Sequence, residues 1–258
     1  MKMKLYENNQ FFTKFTQLND FFGGFSLGTL NIIASRPAMG KTALLCNLAL
    51  DFALQNQNCF YFSFSESDEL LAHKMVAIQA EVNLDHSFSN FIPEEHQRMI
   101  KVVNQNLPIM ISSDLKNFYK DICEKKNQII FIDYLQLIDE DNGKSINQLK
   151  NVSIKNNLCL FVASQLSRKV DERQGHRPKI TDLFDSSQIE AAADSIIFLL
   201  RREYYETLDK PGNAELIIAK NHYGNTGNVH LDFDKEKQIF KNSIYKPIVD
   251  LFGGRELF

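Results

Sequence analysis

In the stretch Ser35-Arg36-Pro37-Ala38-Met39-Gly40-Lys41-Thr42, an ammonium and a hydroxyl follow directly on a glycine. The apolar run Ile32-Ile33-Ala34 precedes it and Ala43-Leu44-Leu45-Cys46-Asn47-Leu48-Ala49-Leu50 follows, so a short strand breaks into a tight loop and reopens as a helix. The first N–H groups of such a helix have no intrahelical acceptor and carry the positive end of its dipole, so residues 35–42 can cradle a phosphate chain. Lys41 adds a point charge for the terminal phosphates, and the Thr42 hydroxyl is placed to ligate Mg²⁺. Ser35 stands where the full pattern has glycine. A glycine that only turns a strand into a helix would account for an isolated Gly-Lys-Thr; the strand before and the helix after favour a nucleotide site.

Three further groups fit that chemistry. In Asn127-Gln128-Ile129-Ile130-Phe131-Ile132-Asp133, four apolar residues end in an acid. A run of that kind is buried in a parallel sheet and presents its carboxylate at the carboxyl edge, where α/β folds hold ligands. Asp133 would then hold Mg²⁺, directly or through water, opposite Thr42; a helix cap is the alternative for any strand-ending Asp. The run 159–165 reads as another strand, ending in Ser164-Gln165, which could reach a γ-phosphate or its attacking water. Beyond it, residues 166–181 carry Arg168, Lys169, Arg173, Arg177 and Lys179 against Asp171 and Glu172. These cations are the local candidate for a nucleic-acid backbone, and on charge alone a solvated surface loop explains them equally well.

These residues need a scaffold, and a chain of 258 residues with 44% hydrophobic content can bury one core. The net charge of −3 provides no global positive field, so nucleic acid must be met by a local patch. Cys46, Cys59, Cys123 and Cys159 are scattered without metal or disulfide spacing, as core packing in a reducing compartment would have it. No apolar run approaches the ~20 residues that span a bilayer, and the polar start shows no signal core, so a cytoplasmic protein with no membrane partner is expected.

Residues 14–22 read as a short helix closed by Gly23-Gly24, and the helix after the loop runs to about Leu54. A buried strand follows at 59–65, then a helix at 68–82 with Leu71, Met75, Ile78 and Val82 on one face. A polar span leads to a helix near 95–106 and a strand at 108–112. Residues 139–157 read as a polar loop and a short helix. Strands at 195–200 and 214–221, a Gly224-Asn225-Thr226-Gly227 turn and a hairpin through Asp234 to Phe240 complete a domain over 13–242, between tails at 1–12 and 243–258. The alternation predicts an α/β fold, a mostly parallel central sheet flanked by helices with antiparallel C-terminal edge strands.

Several stretches together resemble the RecA-like motor domain of DnaB-type replicative helicases. They are Gly23-Gly24-Phe25 with Gly28, residues 36–42, Ile132-Asp133-Tyr134-Leu135-Gln136-Leu137, Ser164-Gln165-Leu166-Ser167-Arg168, Gln188-Ile189-Glu190 with Ala193-Asp194, and Lys220-Asn221 with Gly224. The resemblance implies a RecA-like P-loop NTPase that binds ATP and Mg²⁺ at the seams of a ring hexamer and moves along single-stranded DNA. Carried over by position, Lys41 and Thr42 bind phosphate and metal, Asp133 is the Walker B acid, Gln165 senses the γ-phosphate, and Lys220 reaches a neighbouring subunit's site.

The chain also departs from the family pattern. The family's second strand ends Ser-Leu-Glu-Met, and the gapless match is Ser63-Phe64-Ser65-Glu66, so the carboxylate that activates water arrives one residue late. Side chains alternate along a strand, so Glu66 is expected to point away unless a bulge restores its direction. His222 occupies the arginine-finger position, and Phe184-Asp185-Ser186-Ser187 replaces the Arg-Glu-Ser-Gly of the DNA-gripping loop, with Phe184 available to stack on a base. No amino-terminal collar domain is expected ahead of residue 13, which leaves a homo-hexamer or a related helicase subunit as partner. Three readings follow: an ATP-driven helicase motor, a paralogue that binds ATP with little hydrolysis and modulates a replication assembly, and a more distant RecA-like ATPase acting on protein or lipid.

Overall fold

The continuous apolar runs become a sheet covered on both faces. The computed structural model describes residues 10–83, 107–138, 144–206 and 208–243. Six strands run parallel: β3 (Thr29–Ser35), β4 (Cys59–Ser63), β5 (Ile109–Ser112), β6 (Ile129–Asp133), β7 (Cys159–Gln165) and β8 (Ser195–Leu200). Three more extend the sheet in antiparallel fashion: β9 (Asn213–Asn221), β10 (Gly227–Asp234) and β11 (Ile239–Asn242). The order across the sheet is β11, β10, β9, β8, β3, β7, β6, β4, β5. Every residue of β3, β4, β6 and β8 is buried, which is why these strands read as unbroken hydrophobic runs.

Parallel neighbours end on the same side, and the register sets Ser35 beside Gln165 and Ser63 beside Asp133. The polar ends of four separate runs thereby meet at one edge. Helix α2 (Lys41–Leu54) starts at that edge and lays Phe52 against Phe161, which stacks on Phe131 with ring centres 5.2 Å apart. Helix α3 (Asp68–Ala80) packs on α2 and is capped by Ser67, whose Oγ accepts the Leu70 N–H.

The β10–β11 hairpin reaches under the start of α2. Its Phe233 and Phe240 rings lie 4.4 Å apart, and a Cβ at Gly40 would stand 3.4 Å from the Phe240 ring. Asn47 fastens the hairpin: its Nδ2 donates to the Gln238 carbonyl at 2.9 Å and its Oδ1 accepts the Phe240 N–H at 3.2 Å. At the amino edge, α1 (Thr16–Phe22) lies so close to the β9–β10 turn that a Cβ at Gly224 would meet the Phe21 carbonyl oxygen at 2.1 Å.

Several sequence expectations change. Residues 10 and 11, expected in an irregular tail, form a short strand, β1 (Gln10–Phe11), paired with β2 (Phe25–Ser26). Strand β4 stops at Ser63 rather than at residue 65, because the Ser63 hydroxyl turns the chain by bonding the Glu66 carbonyl at 2.9 Å. Helix α4 (Phe118–Glu124), with Phe118 and Ile122 buried, was not expected. Helical turn α5 (Leu135–Ile138) follows β6, and α6 (Lys144–Asn156) is longer than the short helix expected within 139–157. The helix expected near 95–106 lies outside the described residues, as does most of each tail.

Replacing Asn47 by Leu strands the Gln238 carbonyl and the Phe240 N–H at about 1–3 kcal/mol each. A lower denaturant midpoint with an unchanged slope is the expected result; an unchanged midpoint would deny the hairpin this anchor.

Candidate nucleotide site

The loop between β3 and α2 has the backbone of an anion cradle. Ala38 and Gly40 both take left-handed conformations, φ 61° and 94°, the kind of turn that gathers N–H groups into a concavity. Gly40 caps α2 without a side-chain hydrogen bond, so no side chain satisfies the helix's first donors. Met39 is buried, and its carbonyl accepts from the buried Arg201, whose guanidinium lies 4.2 Å from the centre of the Phe233 ring and is held by Glu203. Ser35 is buried and its hydroxyl bonds the Arg36 carbonyl at 2.9 Å.

Thr42 Oγ1 donates to Asp133 Oδ2 at 2.6 Å, and Tyr61 donates to the same oxygen at 3.4 Å. Burial raises the Asp133 carboxyl above its ordinary value, opposed by the Thr42 bond and by Lys41. Burial also lowers the Lys41 ammonium, opposed by Asp133. Two desolvated opposite charges thus sit beside each other at the mouth of the loop. At the end of β7, the Gln165 N–H donates to Gln136 Oε1 at 3.1 Å, and Gln136 Nε2 donates to Ser164 Oγ at 2.9 Å. One side chain therefore ties the turn after β6 to β7.

Glu66 corrects an expectation. With β4 ended at Ser63, strand alternation no longer governs residue 66, and Glu66 faces a cleft of about 630 Å³ shared with Gly40, Lys41, Thr42, Lys74 and Arg201. Its Oε1 accepts from Lys74, while its Oε2 is buried without a partner. Ser65, at the family's glutamate position, is exposed. Phe233, Lys235, Glu236 and Gln238 of the β10–β11 hairpin close the cleft's far side.

Other expected residues lie apart from this cleft. Arg36 turns outward to Asp171, with its Nε 3.0 Å from Oδ2, and donates to the Leu166 carbonyl at 2.8 Å. Tyr205 donates to Asp171 Oδ1 at 2.9 Å. Burial disfavours the Asp171 anion, but the bonds from Arg36 and Tyr205 outweigh it and hold the carboxyl below its ordinary value. Lys220 and His222 belong to the amino edge, since Asn221 pairs with Ser195 at the start of β8. Lys220 donates to the Glu190 carbonyl, and burial lowers its ammonium despite Asp194 and Glu190 nearby. His222 Nδ1 lies 3.6 Å from Asp194 Oδ1.

The five loop cations separate into two kinds. Arg173 grips Asp182 through two bonds of 2.9 Å, and Arg177 grips Glu215 at 3.0 and 2.6 Å, so these two brace the loop rather than stand free. Arg168, Lys169 and Lys179 are exposed, as is Phe184; Ser186 opens the short helix α7 (Ser186–Ala192) nearby. Lys74, Arg201 and Gln136 escaped sequence reasoning as site residues. Lys74 had a usable signal, being the only Lys or Arg between Lys41 and Arg98. Nothing local singled out Arg201, whose contact with Met39 spans 162 positions.

Known proteins share this arrangement of sheet and loop. Residues 11–242 match the DnaB-like helicase C-terminal domain. The replicative DNA helicase DnaB of Geobacillus stearothermophilus is 33% identical over 253 residues, covering 89% of this chain and 56% of that protein. A probable plasmid replicative DNA helicase of Chlamydia psittaci is 32% identical over 230 residues, covering 81% of this chain and 50% of that protein. The chain thus spans about half the length of these curated relatives. The ATPase domain of G40P superposes with a TM-score of 0.82 at 27% identity, covering 89% of this chain and 90% of that one. A DnaB-like replicative helicase, whose structure was described with its interactions with primase, gives 0.83 at 27% identity, covering 90% and 61%. No helix among the described residues is long and apolar enough to cross a membrane. A RecA-like sheet with a phosphate loop at its carboxyl edge and a family match across most of its length make this chain a member of the DnaB-like helicase C-terminal domain family.

Proposed function

We propose that the chain is the ATP-driven motor of a replicative DNA helicase, which binds Mg·ATP in the cleft around Lys41 and couples hydrolysis to movement along single-stranded DNA. The observation that carries the reading is a phosphate loop whose cleft also takes in Glu66, with Thr42 on its wall bonded to the buried Asp133. A hydroxyl and a carboxylate are hard donors that suit Mg²⁺, so Thr42 and Asp133 fit the metal the family implies. Bound there, Mg²⁺ would offset charge on the terminal phosphates. Lys41 and the first N–H groups of α2 hold the phosphate chain. The Glu66 carboxylate takes a proton from water as the water oxygen bonds to the γ-phosphorus and the bond to the leaving ADP oxygen breaks. Gln165, at the end of the strand next to β3, is placed to report the γ-phosphate.

Lys220 and His222 stand at the edge opposite the cleft, which supports a role toward a neighbouring subunit, in a ring hexamer or with a related helicase subunit. Arg168, Lys169 and Lys179, with Phe184 and Ser186, form the face for single-stranded DNA. Arg36 and Asp171 join that loop to the phosphate loop.

Calorimetry with Mg·ATP should show a large loss of affinity for Lys41→Ala, because phosphate charge is left uncompensated. Equal affinities, or no binding by either protein, would remove the nucleotide assignment. Phosphate release stimulated by single-stranded DNA is expected of the unaltered chain, and Glu66→Gln should lower it by about 10²–10⁴ while ATP still binds. Full turnover by that variant would dismiss Glu66.

Fluorescence anisotropy across a salt series tests the DNA face. Neutralising Arg168 and Lys169 together should flatten the dependence of log affinity on log salt by roughly one unit for each phosphate that the chain no longer neutralises. Replacing Arg173 or Arg177 should instead lower thermal stability, since each leaves a buried carboxylate, Asp182 or Glu215, unpaired. A salt slope indifferent to Arg168 and Lys169 would place the DNA elsewhere.

A further inference from the structure

Glu66 is held in place by the end of β4 and by α3. Strand β4 ends at Ser63, and the next residues leave the sheet in a bend closed by the Ser63 hydroxyl on the Glu66 carbonyl. The Phe64 N–H donates to the Asp133 carbonyl at 2.8 Å, which fixes that bend against the end of β6. The backbone thus brings Glu66 to the cleft but leaves its carboxylate to rotate. Lys74, from the second turn of α3, bonds one oxygen of that carboxylate and leaves the other buried without a partner. The side chains of Lys74 and Glu66 are only 14% and 20% exposed, so water screens the pair weakly.

Charge explains why such a partner is needed. Glu66 lines the cleft, Asp133 is buried behind Thr42, and Glu66 opposes ionisation of Asp133. Lys41 answers Asp133, and the incoming phosphates add more negative charge to the same space. Uncompensated, Glu66 would be driven out of the cleft by its neighbours. We propose that Lys74 is the positioning residue for Glu66, bonding Oε1 so that the carboxylate is held at the wall of the cleft, and that this clamp makes a carboxylate one residue late competent for hydrolysis. The inference rests on the reading of the cleft as an ATP-hydrolysing site. Lys74 is not itself in contact with the reacting atoms: its role is to fix a rotamer and to balance a charge.

The test measures DNA-stimulated ATP turnover and calorimetric affinity for Mg·ADP in the full chain, for Lys74→Met, Lys74→Gln and Lys74→Arg, alone and combined with Glu66→Gln. Lys74→Met keeps the apolar stem and Lys74→Gln keeps a donor, so a folding defect in one leaves the other to be read. Both neutral variants should lower kcat by about 10–100-fold, the scale of a misplaced catalytic group, with KM and Mg·ADP affinity nearly unchanged. Lys74→Arg should recover most of the rate, and in the Glu66→Gln background loss of Lys74 should cost little more. A raised KM with weakened Mg·ADP binding would overturn the proposal by making Lys74 a phosphate ligand. So would an unchanged kcat, or a loss that adds in full to that of Glu66→Gln. Wild-type turnover by Glu66→Gln alone would show the different failure that Glu66 is not the water-activating group, and the clamp would fall with it.

Discussion

Asp133 cannot be buried alone. It is 1% exposed, and isolated ions of that kind are costly enough that the group protonates or finds partners. Its hydrogen-bond partners are the hydroxyls of Thr42 and Tyr61, and the Lys41 ammonium offsets its charge; Thr42 and Lys41 both lie in the first turn of α2. That turn must therefore stand against the end of β6, although β7 lies between β3 and β6 in the sheet. The loop from Arg36 to Gly40 spans the gap by doubling back through two left-handed residues. The unusual backbone of the loop and the charge balance of the cleft are one requirement seen from two sides.

A loop under such constraint needs support beyond its own residues. From below it rests on Phe233 and Phe240, and position 40 favours glycine because its φ of 94° is left-handed. Arg201 binds the Met39 carbonyl from one side, and Arg36 leaves from the other to Asp171. These props come from the antiparallel edge, from β8 and from the loop after β7. The C-terminal strands are thus part of the site's foundation, and an isolated strand–loop–helix could not hold this geometry. Asp171 belongs to the segment that also presents Arg168 and Lys169, so its pair with Arg36 ties the phosphate loop to that segment.

The sequence showed the parts whose physics is local. Strands buried on both faces are runs of apolar residues, and a phosphate loop is a glycine, a lysine and a hydroxyl between a strand and a helix; both could be read directly. The Glu66 reading went astray because Phe64-Ser65 continues the look of a strand, while the Ser63 hydroxyl that ends it bonds a backbone group, a contact with no pattern in composition. Helix α4 was missed because its buried face consists of Phe118 and Ile122 alone, too few positions for a period. In the basic loop, composition could not say which cations are already paired. A charge count treats Arg177 and Arg168 alike, yet Arg177 finds Glu215 at a separation of 38 positions, and only the folded sheet brings them together.

Asp194 shows how the two edges of the sheet are joined. Its Oδ2 accepts the Leu30 N–H at 2.7 Å and the Lys150 ammonium at 2.6 Å, while its Oδ1 accepts from Tyr223 and faces His222. Leu30 lies near the start of β3, the strand whose other end releases the phosphate loop. The end of β9 with Lys220, and His222 just beyond it, are therefore anchored to the amino end of the same buried strand that supports Lys41. A seven-residue strand with neighbours paired on both sides does not bend easily, so displacement of its amino end is carried to the loop at its carboxyl end. The cleft and the amino edge thus share β3 as a common support. His222 lacks the reach and the fixed charge of an arginine, but it keeps its place on that lever.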